Sequence, residues 1–166
     1  MWSVVDAAGG REDLMDLSSW SVGLSLIVLT IAIHTTAVVW MAFGLETRTR
    51  VRVGQIDRLR AIQAMIGHIG AVALILAGLH GLEAILWASA YWWLGALDSF
   101  TEASVYALAT MTTFEIPGVT LPPRWHMLSA LQAVNGVLLF GISTAFLFAV
   151  IQVHWQSFSH RHRIVP

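Results

Sequence analysis

The sequence contains no cysteine, and only 11% of its 166 residues are charged. Without cysteine, disulfides, thiolate catalysis and cysteine-ligated zinc are excluded. A soluble domain has about 25% charged residues, whereas this chain combines few charges with 57% hydrophobic residues. The composition therefore predicts a membrane protein whose solvent is the lipid bilayer.

Patterns typical of enzymes and of nucleic-acid-binding proteins are also missing. The sequence has no glycine-rich phosphate loop, no nucleophile–base spacing and no His/Cys metal cluster. Its formal net charge is −1, and no basic tract could follow a phosphate backbone. We therefore expect no enzymatic activity, no catalytic residues, no bound cofactor and no nucleic-acid partner.

Three long apolar segments predict an all-α membrane protein with three transmembrane helices. Residues 20–44 contain no Asp, Glu, Lys or Arg. As a helix they extend roughly 37 Å, enough to cross a hydrocarbon core of about 30 Å. The other two predicted spans are residues 61–94 and 126–155. Aromatic residues suited to the membrane interface lie near the ends of the first two spans: Trp20, Trp40, Trp87, Tyr91, Trp92 and Trp93.

The segments outside the spans predict the orientation of the chain. Residues 45–60 form an arginine-rich loop, and the tail 156–166 carries further arginines, so both are expected in the cytoplasm. Three spans then place residues 1–19 outside, as an interfacial segment whose helix breaks at Gly9 and Gly10. For the arginine-rich loop, an ordinary membrane-flanking segment and a site for lipid head groups both stay open.

Residues 98–125 predict a short helix followed by an extended return. Ser99 and Glu102 have capping-box spacing, and Asp98 is an alternative N-cap. A helix of about 12 residues extends roughly 18 Å, which is too short to span. Three prolines that end it are Pro117, Pro122 and Pro123. We therefore expect a re-entrant element between the second and third spans, because irregular backbone at membrane depth must be buried or line water.

This short helix would end inside the membrane, and its carboxyl end carries about half a negative charge. If four such helices pointed their carboxyl ends at a common axis, the four partial negative charges would stabilise a cation on that axis. Glu115 is the only residue between Glu102 and Arg124 that is charged at neutral pH. A ring of carboxylates around a water-filled axis is a known way to select cations, so the segment predicts a tetrameric pore.

Residues 104–151 resemble the pore helix, filter and inner helix of tetrameric potassium channels. The closest resemblance is to the small bacterial proteins described as two-pore-domain potassium channel family or ion channel proteins. The stretches that carry it are TMTT (110–113), LPPRW (121–125) and LLFGISTAFLFAVI (138–151), while HGLEAILWASAYWWLGALDSF (80–100) resembles the outer helix. The resemblance implies a homotetramer in a bacterial inner (plasma) membrane.

The filter itself departs from that family. Potassium filters carry TVGYG loops, whereas Glu115 and Pro117 stand here at the positions of the two glycines. Glutamate in a left-handed conformation costs roughly 1–2 kcal/mol, and proline is held near φ −65°. We therefore expect a wider filter that cannot coordinate K⁺ through four carbonyl sites. The predicted filter residues are Thr112, Thr113, Phe114, Glu115, Ile116, Pro117 and Gly118.

In this hypothesis Glu115 carboxylates face the axis and bind the permeant cation, because carboxylate oxygens suit Na⁺ and Ca²⁺. The alternative is that Glu115 points backward and pairs with the Trp125 indole or with Arg124. Phe114 and Ile116 are expected to pack behind the filter.

Further polar residues and glycines lie within the spans. We expect Asn135, Gly136 and Gly141 to line the inner cavity or act as a gating hinge, with close helix packing as the alternative for the glycines. His80 and Glu83, three residues apart, are expected to form a structural polar pair. It would hold the outer helix to the pore helix at Thr101 or Tyr106.

The sequence thus predicts a homotetrameric cation channel that conducts Na⁺ and K⁺, with Ca²⁺ as a further candidate, and that is not K⁺-selective. One alternative is a non-conducting or auxiliary membrane subunit that retains the channel frame. A more remote alternative is a membrane electron carrier in which His34 and His68 ligate haem.

Overall fold

The long apolar segments of the sequence form long helices. The computed structural model describes residues 2–49 and 58–161. Within these ranges the chain forms four α-helices and one 3₁₀ turn, with no strand: α1 (Trp2–Thr49), α2 (Arg58–Trp93), α3 (Phe100–Met111), the 3₁₀ turn (Pro123–Trp125) and α4 (His126–Arg161). The predicted all-α class is confirmed. In the predicted arginine-rich loop 45–60, helices cover both ends, and residues 50–57 lie outside the described residues.

Three of these helices are long and apolar enough to cross a membrane. The stretches are Ser18–Gly44, Ile62–Trp93 and Pro123–Val153, within a few residues of the predicted spans. In the most apolar part of each stretch, the share buried within the chain is only 17%, 28% and 28%, in the same order. Apolar surface on this scale requires cover from outside the chain, as in a membrane protein.

The expected helix break in the N-terminal segment 1–19 is wrong. Helix α1 begins at Trp2 and passes without interruption through Gly9 and Gly10. A glycine costs about 1 kcal/mol in a helix interior relative to alanine. That cost lowers helix propensity but does not forbid the helical conformation, and the helix continues into the first apolar span.

The short helix predicted in residues 98–125 is present as α3. Its N-cap is Ser99, with the extended conformation φ −127° and ψ 147°. The Ser99 hydroxyl accepts a hydrogen bond of 3.1 Å from the backbone N–H of Glu102. Of the two caps considered, the serine is therefore the one used. This bond satisfies one of the N–H groups that a helix leaves without an internal partner at its start.

The described chain divides into two compact units. Unit 1 consists of Met1–Ile33 and Gly81–Leu139. Its core includes Trp87 and Tyr91, which are fully buried, and their predicted depth at the membrane interface stays a prediction. The neighbouring Trp92 and Trp93 are exposed, as expected for interface residues. On one helix the side chains of successive residues point in different directions, and only part of this aromatic run can face outward.

Unit 2 consists of His34–His80 and Phe140–Pro166. Val72, Leu76 and Val150 form its buried apolar cluster, and Val38 and Leu147 pack against them. Trp40 and Trp155 are exposed in this unit. Each unit therefore has its own small apolar core and an apolar outer surface.

Candidate functional site

The helix α3 ends in a tight cap made by the first predicted filter residues. The N–H of Thr113 donates to Thr110 O at 2.9 Å, and the N–H of Phe114 donates to Ala109 O, also at 2.9 Å. This pair of bonds is the Schellman motif, in which the residue after the C-cap adopts a left-handed conformation. Here that residue is Thr113, with φ 59°. The position normally favours glycine, so a β-branched side chain there is strained.

The hydroxyl of Thr112 is also used within the helix end. Thr112 Oγ1 donates to Ala109 O at 2.8 Å. The first two predicted filter residues therefore both contribute to the end of α3, Thr113 through its backbone and Thr112 through its side chain.

A second reversal follows three residues later. The N–H of Val119 donates to Ile116 O at 3.3 Å, which closes a four-residue turn with Pro117 and Gly118 at its centre. Gly118 has φ 84°. Proline followed by a left-handed glycine is the signature of a type II turn. The expectation that the chain reverses at Gly118 therefore agrees with its backbone conformation.

The two reversals decide the shape of the predicted filter. Among the described residues, positive φ occurs at Thr113, Gly118 and Gly95 only. Glu115 and Pro117 keep negative φ, as their side chains require. The segment between α3 and α4 is thus a doubly turned loop.

Glu115 lies on the exposed part of this loop. Within the described part of the chain its carboxylate has no hydrogen bond or ion pair. The alternative of a bond to the Trp125 indole is wrong, because Trp125 Nε1 is buried without a hydrogen-bond partner among those residues. Arg124 instead places its guanidinium 5.5 Å from the centre of the Trp125 ring. Phe114 is 65% exposed, so within one chain it does not pack behind the loop as expected.

Buried hydrogen bonds fix α3 between its neighbours in unit 1. Tyr91 of α2 donates to Gln132 Oε1 at 2.8 Å. Gln132 of α4 in turn donates from Nε2 to the carbonyl of Ala107 on α3 at 2.9 Å. A second bond joins Tyr106 of α3 to Ser129 of α4, with 2.8 Å between the hydroxyl oxygens. The orientation of α3, and of the loop that follows, is therefore set by side chains of α2 and α4.

The residues proposed for a cavity lining or a hinge have different environments. Asn135 is fully buried and donates from Nδ2 to Thr30 Oγ1 of α1 at 2.9 Å, so it does not face open space. A Cβ at Gly136 would overlap the carbonyl oxygen of Met111 and lie 2.9 Å from the Met111 carbonyl carbon. Gly136 is thus a close-packing site, the alternative that the sequence left open. Gly141 has open space where a Cβ would be.

The two members of the predicted polar pair, His80 and Glu83, fall in different units, and the pair itself stays a prediction. In unit 2, His80 Nε2 lies 3.0 Å from Ser143 Oγ, and the same hydroxyl lies 3.0 Å from His34 Nε2. The two imidazole centroids are 5.1 Å apart. The structure assigns Glu83, which is fully buried, to unit 1. Tyr106, one expected partner of the pair, bonds Ser129. Ser143 thus brings His34 and His80 together, and the remote alternative in which His34 and His68 ligate haem stays a prediction.

Sequence reasoning did not single out Gln132, Ser129 or Thr30. One signal for them exists: polar side chains inside an apolar span have to find hydrogen-bond partners on neighbouring helices. That signal marks the residues but not their partners, because the partner depends on the rotation of each helix about its axis.

Comparison with known proteins finds no match to a protein family, to a characterised protein or to a solved structure.

Proposed function

We propose that this chain is the subunit of a homotetrameric cation channel. The permeation path would pass Thr112–Gly118, and the Glu115 carboxylates of the four subunits would form the ring that attracts cations. Chains would lie in a bacterial inner membrane, with the N-terminus outside and the C-terminus in the cytoplasm. The permeant ions would be Na⁺ and K⁺, with Ca²⁺ as a further candidate.

One observation carries this proposal. A helix of 12 residues, α3, stands between two candidate spans and leads into an exposed loop. The helix is too short to cross a bilayer. Gln132 of α4 donates a buried hydrogen bond to it and is itself bonded by Tyr91 of α2. The carboxyl end of α3 carries about half a negative charge, and the loop adds the Glu115 carboxylate. Both charges have the sign that concentrates cations.

The loop conformation supports a path without K⁺ selectivity. Positive φ occurs at Thr113 and Gly118, whereas Glu115 and Pro117, at the positions of the two filter glycines, keep negative φ. Discrimination between K⁺ and Na⁺ relies on rings of backbone carbonyl oxygens, whether through cavity size or through the number of carbonyl dipoles. A carboxylate ring attracts both ions and binds Ca²⁺ through hard oxygen ligands.

The same loop favours a second candidate, a non-conducting subunit that keeps the channel frame. The cap at Thr113 and the turn at Pro117–Gly118 close on bonds within the chain, and a closed loop of this kind needs no ion to hold it. In this case the chain would assemble in the membrane but conduct no current.

Bilayer recording of the purified full-length protein separates the candidates. Under Na⁺, K⁺ and Ca²⁺ gradients we expect cation currents with comparable Na⁺ and K⁺ permeability. Glu115→Gln should reduce cation-over-anion selectivity and divalent block, whereas Glu102→Gln, a carboxylate on α3 outside the loop, should leave both unchanged. Strong preference for K⁺, or insensitivity to Glu115→Gln, would overturn the carboxylate ring. A stable oligomer without current would favour the auxiliary subunit.

A further inference from the structure

A cavity of about 460 Å³ lies in unit 1 beside the loop that follows α3. It is lined by residues of α3, of the loop and of the first turns of α4. Two of the lining residues carry titratable side chains with strong ligand atoms, Glu115 and His126. The hydroxyl groups of Tyr106 and Ser129, also at this cavity, are bonded to each other. Among the lining side chains, the strongest metal ligands are therefore a carboxylate and an imidazole.

The hydrogen bond of His126 decides which of its nitrogens is available. His126 Nε2 lies 2.9 Å from the carbonyl oxygen of Leu121. A carbonyl oxygen only accepts, so Nε2 must carry the proton. In the neutral ring Nδ1 then has no proton and offers a lone pair. Histidines that ligate metals have this arrangement, with the other ring N–H donated to a backbone carbonyl or a carboxylate.

The second acceptor is Glu115. Its carboxylate is exposed and forms no hydrogen bond or ion pair within residues 2–49 and 58–161. It therefore retains the full coordinating capacity of its two oxygens. The Schellman cap before it and the type II turn after it fix the backbone on both sides of Glu115. The Glu115 carboxylate, on the loop, and the His126 ring, at the start of α4, thus line the same cavity.

We propose that this cavity binds a divalent transition-metal ion such as Zn²⁺, with His126 Nδ1 and the Glu115 carboxylate as its protein ligands. Imidazole together with carboxylate suits Zn²⁺ and its neighbours, whereas Ca²⁺ and Mg²⁺ require oxygen ligands throughout. Water molecules would occupy the remaining coordination positions, as at Zn²⁺ sites that have fewer than four protein ligands.

This inference goes beyond the proposed function and does not depend on it. A chain that conducts no ions could still hold the metal in this cavity. If the chain is a channel, the metal occupies the same carboxylate that attracts permeant cations, so Zn²⁺ would reduce the cation current.

Titration calorimetry of full-length, tag-free protein in detergent tests the site with Zn²⁺ as the probe. We expect saturable binding that Ca²⁺ at the same concentration does not displace. His126→Gln and Glu115→Gln should each weaken Zn²⁺ binding about tenfold or more. Glu102→Gln, a carboxylate on α3 that does not line the cavity, is the control and should leave binding unchanged. Unchanged binding in folded His126→Gln protein, or loss of binding in Glu102→Gln, would overturn the proposal.

A gain-of-signal variant tests the position of the metal independently of any loss of folding. His126→Cys replaces the imidazole with a thiol in a chain that has no other cysteine. With Co²⁺ as the probe, it should keep the metal and add a thiolate-to-cobalt charge-transfer absorption. Bound Co²⁺ without that absorption would contradict ligation at residue 126. These readouts measure metal binding alone. Zn²⁺ binding without any current would reject only the channel proposal. A cation current without Zn²⁺ binding would reject only the metal site.

Discussion

The carbonyl group of Met111, at the end of α3, lies directly against the Cα of Gly136 on α4, with no room for a side chain between them. This contact sets how closely the short helix approaches α4. Together with the Gln132–Ala107 bond, it positions the loop that carries Glu115. The loop is therefore placed by tight packing in unit 1, and Gly136 is needed for its small size.

Gly136→Ala should destabilise the protein. The added methyl group would overlap the Met111 carbonyl, which is backbone and cannot rotate away. Overpacking of this kind typically costs about 1–3 kcal/mol. We expect a lower midpoint of thermal unfolding for the purified protein in detergent.

Gly141→Ala is the matched control for that variant, because its Cβ meets open space on the same helix. It should be neutral or slightly stabilising, since alanine is favoured over glycine in a helix by up to about 1 kcal/mol. Equal destabilisation by both variants would show that helix flexibility, rather than packing, is what glycine supplies in α4.

Thr113→Gly should stabilise the cap of α3. Thr113 has φ 59°, a conformation that costs a residue with a Cβ roughly 1–2 kcal/mol and glycine very little. We expect a gain of about 1 kcal/mol in the free energy of unfolding, measured by detergent-denaturant titration. Thr112→Gly is the control: at φ −91° glycine relieves no strain and removes the Thr112 hydroxyl bond, so it should destabilise. A destabilised Thr113→Gly variant would mean that the threonine side chain holds the loop.

Tyr91→Phe and Gln132→Leu should each destabilise unit 1. Each leaves a buried polar group without its partner, which costs about 1–3 kcal/mol. The double variant should cost less than the sum of the two, because both remove the same bond between Tyr91 and Gln132. Ser89→Ala is the control, since its exposed hydroxyl bonds only within α2. Strict additivity of the two single effects would argue against a shared interaction.

Single-cysteine labelling should determine the orientation of the chain, because the native sequence has no cysteine. With a membrane-impermeant maleimide added from outside spheroplasts, Thr120→Cys in the loop should react. Gly54→Cys in the arginine-rich segment should react only after the membrane is opened. The reverse pattern would invert the topology, and labelling of both positions from outside would exclude a three-span arrangement.

The elements that follow from local sequence were predicted well. The spans are continuous apolar segments with few charges, and helix formation in a bilayer follows from composition and length because every backbone polar group must be satisfied internally. Ser99 and Glu102 predicted the start of α3 because capping is a contact between residues three apart. At Gly9 and Gly10 local propensity was misleading, since two glycines weaken a helix without ending it.

The loop after α3 was only partly predictable. Steric limits on Glu115 and Pro117 correctly excluded left-handed backbone at those positions, and Gly118 was expected to reverse the chain. The left-handed conformation of Thr113 was not foreseen, because a β-branched residue disfavours it. It is retained because two hydrogen bonds to the end of α3 require it.

The sequence by itself determined that this protein is helical, that three of its helices are apolar enough to cross a membrane, and where the short helix α3 begins. These properties depend on side-chain hydrophobicity and on contacts within one helical turn. Only the tertiary structure decided that Gln132 bonds Tyr91 and Ala107, that Asn135 faces Thr30, that Gly136 receives the Met111 carbonyl, and that Glu115 and His126 line one cavity. Each of these pairings depends on the rotation and approach of separate helices, which follow from the packing of the whole unit rather than from any one segment.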